Sequence, residues 1–240
     1  MTTLLLIPGL VSDARVWKCL RDQATDGTTF HDADVTRDAT IPAMAARLLH
    51  EVSGPFIAVG HSLGGRVAME IAHQAPERVQ ALVLANTGHN ARTPGEDAKR
   101  QAKIDLGHRD MQALAADWLP GMLDPARTGD IALVSDLTEM VLAAGADVHE
   151  RQIRALLARP DAATYLPDIT CPVLLLTGAQ DLWSPVAQHQ VIADLLPQSE
   201  LRVIDNAGHF MPVERPDETA ALVLDWLSRQ GLATATPQEA

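Results

Sequence analysis

The chain has 240 residues, and 19 basic against 31 acidic side chains leave a net charge of −12 with histidine neutral. A hydrophobic share of 47 % supplies a sizeable core and excludes a disordered chain, and the length suits one large domain or one domain carrying an insertion. The acidic balance argues against a nucleic-acid binder, no apolar run nears the roughly 20 residues that span a bilayer, and two cysteines, Cys19 and Cys171, are too few for a disulfide framework.

Strand and helix signals alternate from the start. Leu4 to Ile7 is a short apolar run stopped by Pro8-Gly9. No Lys or Arg precedes it, so it reads as a buried strand and not as a signal peptide. The cytoplasm is the expected compartment, with both cysteines reduced and packed as small core residues. Trp17 to Gln23 reads as a helix, Phe30 to Val35 as a weaker strand, and Ile41 to Val52 as an amphipathic helix. Phe56 to Gly60 is a third strand, Gly65 to Gln74 a helix, and Val79 to Ala85 a fourth strand. Continuous apolar strands separated by helices predict an α/β fold, with a parallel sheet covered on both faces.

The alternation then stops. Between Gly88 and Tyr165 only helical segments are expected, at Glu96 to Leu106, Met111 to Leu119, Asp130 to Ala144 and Val148 to Ala158, punctuated by Pro94-Gly95, Pro120-Gly121 and Pro125. Residues 88–165 therefore read as a helical insertion into a core formed by residues 1–87 and 166–230. Strand signals return at Val173 to Thr177 and Leu201 to Ile204, and helix signals at Val186 to Leu196 and Asp217 to Arg229. Residues 231–240, small and polar, are expected to form a mobile tail.

The third strand runs directly into Gly60-His61-Ser62-Leu63-Gly64-Gly65 and a helix. This is a G-x-S-x-G turn in the strand–turn–helix context that the motif requires. A strand reversing sharply into a helix leaves Ser62 strained and exposed, above a helix N-terminus whose free N–H groups suit a developing oxyanion. A serine nucleophile needs a base, and the base needs an orienting carboxylate. Asp181 follows the fifth strand and His209 the sixth, so both fall at the sheet edge where Ser62 lies, in the chain order Ser, Asp, His. Asp205 competes for the role of acid. His61 is expected to point away as a packed residue, and Glu214 and Arg215 are expected to brace the last helix. Arg66, one helical turn after Ser62, is placed either facing the crevice, where it would hold a substrate carboxylate, or in an ion pair of the fold. Trp17, His89 and Trp118 are further candidates for substrate contact. No cluster has metal-ligand spacing and no phosphate loop is present, so neither cofactor nor metal is expected.

Together with Leu6-Ile7-Pro8-Gly9-Leu10, Ala75-Pro76-Glu77-Arg78-Val79 and the run Gly208 to Pro216, these segments resemble the α/β-hydrolase superfamily over nearly the whole chain. The resemblance implies six mainly parallel strands in the order 2-1-3-4-5-6, and a helical cap at residues 88–165. It also implies roles: Ser62 as nucleophile, His209 as base then acid, Asp181 as orienting acid, and the backbone N–H groups of Leu10 and Leu63 as the oxyanion hole. Pro8-Gly9 departs from the His-Gly of many relatives, and the usual glycine-rich segment after the second strand is replaced by Asp34 to Ile41. The expected function is hydrolysis of a small soluble carboxylic ester. The run Gly60 to Met69 also resembles the elbow of a menaquinone-pathway lyase, which keeps C–C cleavage or elimination open. A non-catalytic small-ligand binder is the third reading. A small-molecule substrate is the expected partner, without nucleic acid or membrane, and oligomeric state is not legible.

Overall fold

The computed structural model describes residues 2–24 and 27–232. The expected tail therefore lies outside the described residues from residue 233 onward. Six strands form one sheet: β1 (Thr2–Ile7), β2 (Thr28–Asp32), β3 (Phe56–His61), β4 (Val79–Ala85), β5 (Val173–Gly178) and β6 (Ser199–Ile204). Their order is β2-β1-β3-β4-β5-β6, and every pairing is parallel. This is the order that the resemblance implies.

Side chains alternate across each strand, so the sheet builds two cores. Leu5, Ile7, Ala58, Leu82, Leu84 and Leu175 face α2 (Ile41–Glu51), α3 (Leu63–Gln74) and α7 (Val186–Leu195). Leu4, Leu6, Val59, Val83, Leu174 and Leu176 face α1 (Lys18–Gln23) and α9 (Pro216–Arg229), which contribute Leu20, Val223 and Trp226. All six residues of β3 and of β5 are buried, which is why their sequences are apolar without alternation.

Residues 86–172 join β4 to β5 and hold α4 (Glu96–Arg109), α5 (Met111–Trp118) and α6 (Ile131–Leu157). Asp110 and Asp130 cap α5 and α6 by accepting the N–H groups of Ala113 and Leu133. Helix α6 is broken at Gly145, whose φ of 77° and ψ of 169° are not helical. The two helices expected at Asp130 to Ala144 and Val148 to Ala158 are therefore the two arms of one bent element, and glycine tolerates the positive φ at the bend. The first arm sends Leu133, Leu137 and Met140 into the second core.

Three expectations need correction. Strand β2 is Thr28–Asp32, two residues earlier than expected. Its side chains are half-buried at a sheet edge, so the apolar signal from Ala33 and Val35 belongs to the turn beyond it. A short helix α8 (Met211–Glu214) was not legible, because Pro212 sits in its first turn and it has only four residues. Neither cysteine is fully buried. Cys19 lies at the α1 surface with its Sγ donating to Asp217 at 3.4 Å, and Cys171 precedes β5, packed against the core's rim.

Candidate active site

Four non-glycine residues have positive φ among the described residues: Val11, Ser62, Asn86 and Asn206. All four follow the carboxyl ends of strands, after β1, β3, β4 and β6. Backbone strain of this kind clusters where function fixes geometry. Ser62 sits at φ 54° and ψ −112° between β3 and α3. The turn is held by Ser62 N–H donating to Ala85 O at 2.9 Å, and by Thr87 Oγ donating to Ser62 O at 2.7 Å. A side chain at Gly60 would collide with the backbone of Gly64, and one at Gly64 with the carbonyls of Ile7 and Pro8. The motif glycines are thus required by close approach of three backbone segments.

Ser62, His209 and Asp181 are brought together. Ser62 Oγ lies 2.8 Å from His209 Nε2, and His209 Nδ1 donates to Asp181 Oδ2 at 2.9 Å. The other carboxylate oxygen, Oδ1, accepts the N–H groups of Trp183 and Ser184, both at 2.8 Å. Burial opposes the charge of Asp181, yet His209, the Ser184 N–H and Asn86 outweigh it and hold the carboxyl well below the usual range. Asp205, the competing acid, is exposed.

Sequence reasoning missed Asn86. Its Nδ2 donates to Asp181 Oδ2 at 2.9 Å and to Gly208 O at 3.2 Å, so it bridges the turns carrying the acid and the histidine. An asparagine directly after a strand is a usable signal, because it tolerates the φ of 50° found here. Glu214 does not brace the last helix as expected. Buried, and with its pKa raised by that burial, it accepts the N–H groups of Gly208 and Asp124, fixing the His209 turn. Arg215, the residue before α9, does pair with Glu218 in that helix's first turn. His61 is buried below the histidine, and its Nε2 donates to the His209 carbonyl at 2.7 Å. Burial holds its pKa down to about 3, so the ring is neutral.

Leu63 is the first residue of α3, so its N–H has no acceptor within the helix. The Leu10 N–H makes no backbone hydrogen bond among the described residues. The next residue, Val11, is pinned at φ 44° by its N–H donating to Gln152 Oε1 at 2.8 Å.

Two cavities meet at Lys99, Arg100 and Trp183. The first, about 490 Å³, is bordered by Ser62 and Leu63. It has four cationic side chains, Arg66, Lys99, Arg100 and Arg159, against one carboxylate, Glu96. Arg100 and Arg159 both pair with Glu96, at 2.6 and 2.8 Å. Arg66 has only neutral partners, donating to Asn90 O at 3.0 Å and to Asn90 Oδ1 at 3.4 Å. Burial, with the like charges of Arg159 and Arg100, lowers its pKa to about 9. Of the two placements weighed for Arg66, it borders the crevice. The second cavity, about 470 Å³, is mainly apolar and is bordered by Leu10, Leu114, Trp118, Met122 and Ile153.

Trp118 therefore lines a cavity, whereas Trp17 and His89 line neither. Trp17 is turned into the core by the short 3₁₀ helix Ala14–Trp17, and its Nε1 donates to Ile7 O at 3.2 Å. His89 is half-buried, and its carbonyl accepts the N–H of Ala162. No group of three or more His, Cys, Asp and Glu side chains is arranged to hold a metal among the described residues, and no helix among them is long and apolar enough to cross a membrane.

A sequence profile of the Alpha/beta hydrolase family matches residues 4–222. The chain belongs to the alpha/beta hydrolase family. Among its relatives, the pimeloyl-[acyl-carrier protein] methyl ester esterase of Aromatoleum aromaticum is 28 % identical, the match covering 92 % of this chain and 96 % of that protein. A presumed carbamate hydrolase, RutD, of Stutzerimonas stutzeri is 30 % identical over 93 % of this chain and 85 % of its own. The solved structure of a thermophilic esterase from Thermogutta terrifontis superposes with a TM-score of 0.87 at 24 % identity, covering 98 % of this chain and 91 % of that one. The alpha/beta hydrolase fold thus extends through the helical segment between β4 and β5.

Proposed function

We propose that this alpha/beta hydrolase is a serine hydrolase of small carboxylic esters. The observation that carries the reading is the unbroken hydrogen-bond chain from Ser62 Oγ through His209 to Asp181. His209 Nε2 takes the hydroxyl proton as Ser62 Oγ attacks the carbonyl carbon. Asp181 keeps Nδ1–H oriented and offsets the charge of the imidazolium. The N–H groups of Leu10 and Leu63 receive the oxyanion. Collapse of the tetrahedral species expels the alkoxide, which leaves as the alcohol with the proton from His209. Water, activated by the same imidazole, then cleaves the acyl-enzyme and releases the acid. None of these steps calls for a cofactor.

In this reading residues 88–165 act as a cap that limits substrate size and keeps water from the acyl-enzyme. Arg66, a half-buried cation without an acidic partner, supplies a counter-charge for an anionic group on the substrate. A cytoplasmic location belongs to the same proposal. The excess of cations beside Ser62 also favours a second reading, C–C cleavage or elimination on a polyanionic substrate.

The test is a burst assay with short-chain p-nitrophenyl esters on the native chain and on Ser62→Ala, with mass spectrometry of the peptide carrying Ser62. A Ser62-dependent burst, with the acyl mass on that peptide, is expected. A folded protein showing neither turnover nor acylation overturns the ester reading and leaves the second one and the non-catalytic small-ligand binder.

A further inference from the structure

The apolar cavity has one feature that an alkyl chain alone does not require. His149, on the second arm of α6, forms part of its wall and is 3 % exposed. Its Nδ1 is buried with no hydrogen-bond partner, and its Nε2 makes no hydrogen bond among the described residues. Burial, reinforced by the nearby charges of His108 and Arg100, brings its pKa to about 4, so the ring is neutral at ordinary pH. Leaving the buried Nδ1 without a partner costs about 1–3 kcal/mol, whereas Nε2 is not among the buried unpartnered atoms. A leucine would fill the same place without that cost, as Leu10, Leu114, Met122 and Ile153 do elsewhere in the wall, whose charged members are Lys99, Arg100, Lys103 and Asp117. The contacts around the ring are close: Nδ1 lies against Gly107 of α4, where an added Cβ would stand 3.0 Å from it and press on the ring.

We infer that the Leu10 cavity takes an aliphatic substrate chain bearing an uncharged oxygen function, a hydroxyl or a carbonyl, which hydrogen-bonds to the His149 imidazole. This rests on the ester-hydrolase reading and specifies one half of its substrate. A neutral imidazole both donates and accepts, so it serves either function. Sites built to hydrogen-bond a substrate group reject the analogue that lacks it, since the protein group is then left unpaired.

The experiment compares kcat/KM for hexanoate esters with their ω-hydroxy and oxo analogues, in one series with the oxygen on the acyl chain and in another with it on the alcohol chain. The native protein, His149→Leu and His149→Gln are assayed together. In one of the two series the native protein should prefer the oxygenated chain by about 10-fold. His149→Leu should abolish that preference while improving turnover of the plain alkyl ester, and His149→Gln should restore part of it. A merely structural His149 would lower both substrates by the same factor, which would overturn the inference, as would a native protein without preference in either series. Absence of any Ser62-dependent ester turnover is a different result, because it removes the ester reading itself.

Discussion

The side-chain oxygen of Gln152 accepts the backbone N–H of Val11 at 2.8 Å, while its Nδ-equivalent amide nitrogen, Nε2, donates to Val35 O at 3.1 Å. One fully buried amide on α6 therefore ties together the turn after β1 and the turn after β2. Val11 directly follows the proposed oxyanion donor Leu10, so the amide of Gln152 sets the direction of that N–H. Replacing Gln152 with Met keeps the volume and removes both hydrogen bonds. The expected result is a fall in kcat of about 10-fold with KM nearly unchanged, because the lost alignment matters only once the oxyanion forms. Steady-state kinetics on a single ester suffices to check the split.

Asn86→Leu should act on the acid side of the proposed triad. It deletes the side-chain donor to Asp181 Oδ2 and the link to Gly208 O. Hydrogen bonds to charged groups contribute about 1.5–3 kcal/mol, so kcat should drop roughly 10- to 100-fold. Leucine is also strained at φ 50°, whereas Asn86→Gly is not. Both variants should lose activity, and Asn86→Leu should lose several degrees more thermal stability than Asn86→Gly.

Three buried histidines set the acid limb of stability. His61 has its pKa lowered to about 3, and His149 and His189 to about 4, chiefly by burial. In the unfolded chain they titrate near 6.5. Between those values the unfolded state binds more protons than the folded one, so stability falls as the pH drops below about 6.5. Each histidine contributes a slope of about 1.4 kcal/mol per pH unit in that window. Urea unfolding at pH 7, 6 and 5 should show the decline, and His149→Leu should reduce its slope by about one third.

Glu96 works with the opposite sign convention and the same direction. Burial raises its pKa, but hydrogen bonds from Arg159 and Arg100 overcome this and hold it down to about 2. A depressed carboxylate stabilises the fold above its unfolded value, and that gain is lost as the pH falls from about 4.5 toward 2. Glu96→Gln should therefore cost about 2 kcal/mol at pH 7, and distinctly less at pH 3. It also leaves Arg66, Arg100 and Arg159 without a carboxylate among the residues that border their cavity. KM for an anionic ester should fall, while Arg66→Gln should raise it, and a pair of esters differing only in one carboxylate reads out both.

What was legible in the sequence followed the strength of local signals. β1, β3, β4 and β5 are buried on both faces, and burial writes long apolar runs. Ser62 is legible because its neighbours Gly60 and Gly64 are forced by backbone contact, and Asp181 and His209 because they follow strand ends. The half-buried β2 was displaced by two residues, since its polar face carries little signal. Gln152, Glu214 and Asn86 were missed for another reason. Each acts through at least one hydrogen bond to a segment 90 or more residues away, such as Asn86 to Asp181, and sequence spacing does not record such contacts. Trp17 stays open between cavity and core in the sequence, because an aromatic residue after a loop looks the same whether it lines a cavity or closes a core.

The contacts of Met122 and Asp124 bear on how such proteins diversify. The carbonyl of Met122, between α5 and α6, accepts the N–H of His209 at 2.7 Å, and the N–H of Asp124 is held by Glu214 at 2.8 Å. The loop bearing His209, the proposed general base, is thus anchored to the insertion as well as to the sheet. Grafting a foreign insertion between β4 and β5 to redirect substrate choice would therefore also reset the histidine. A graft that keeps the backbone path of residues 122–124 and an amide at position 152 should retain turnover with a new preference. One that matches only the cavity wall should fold and stay inert.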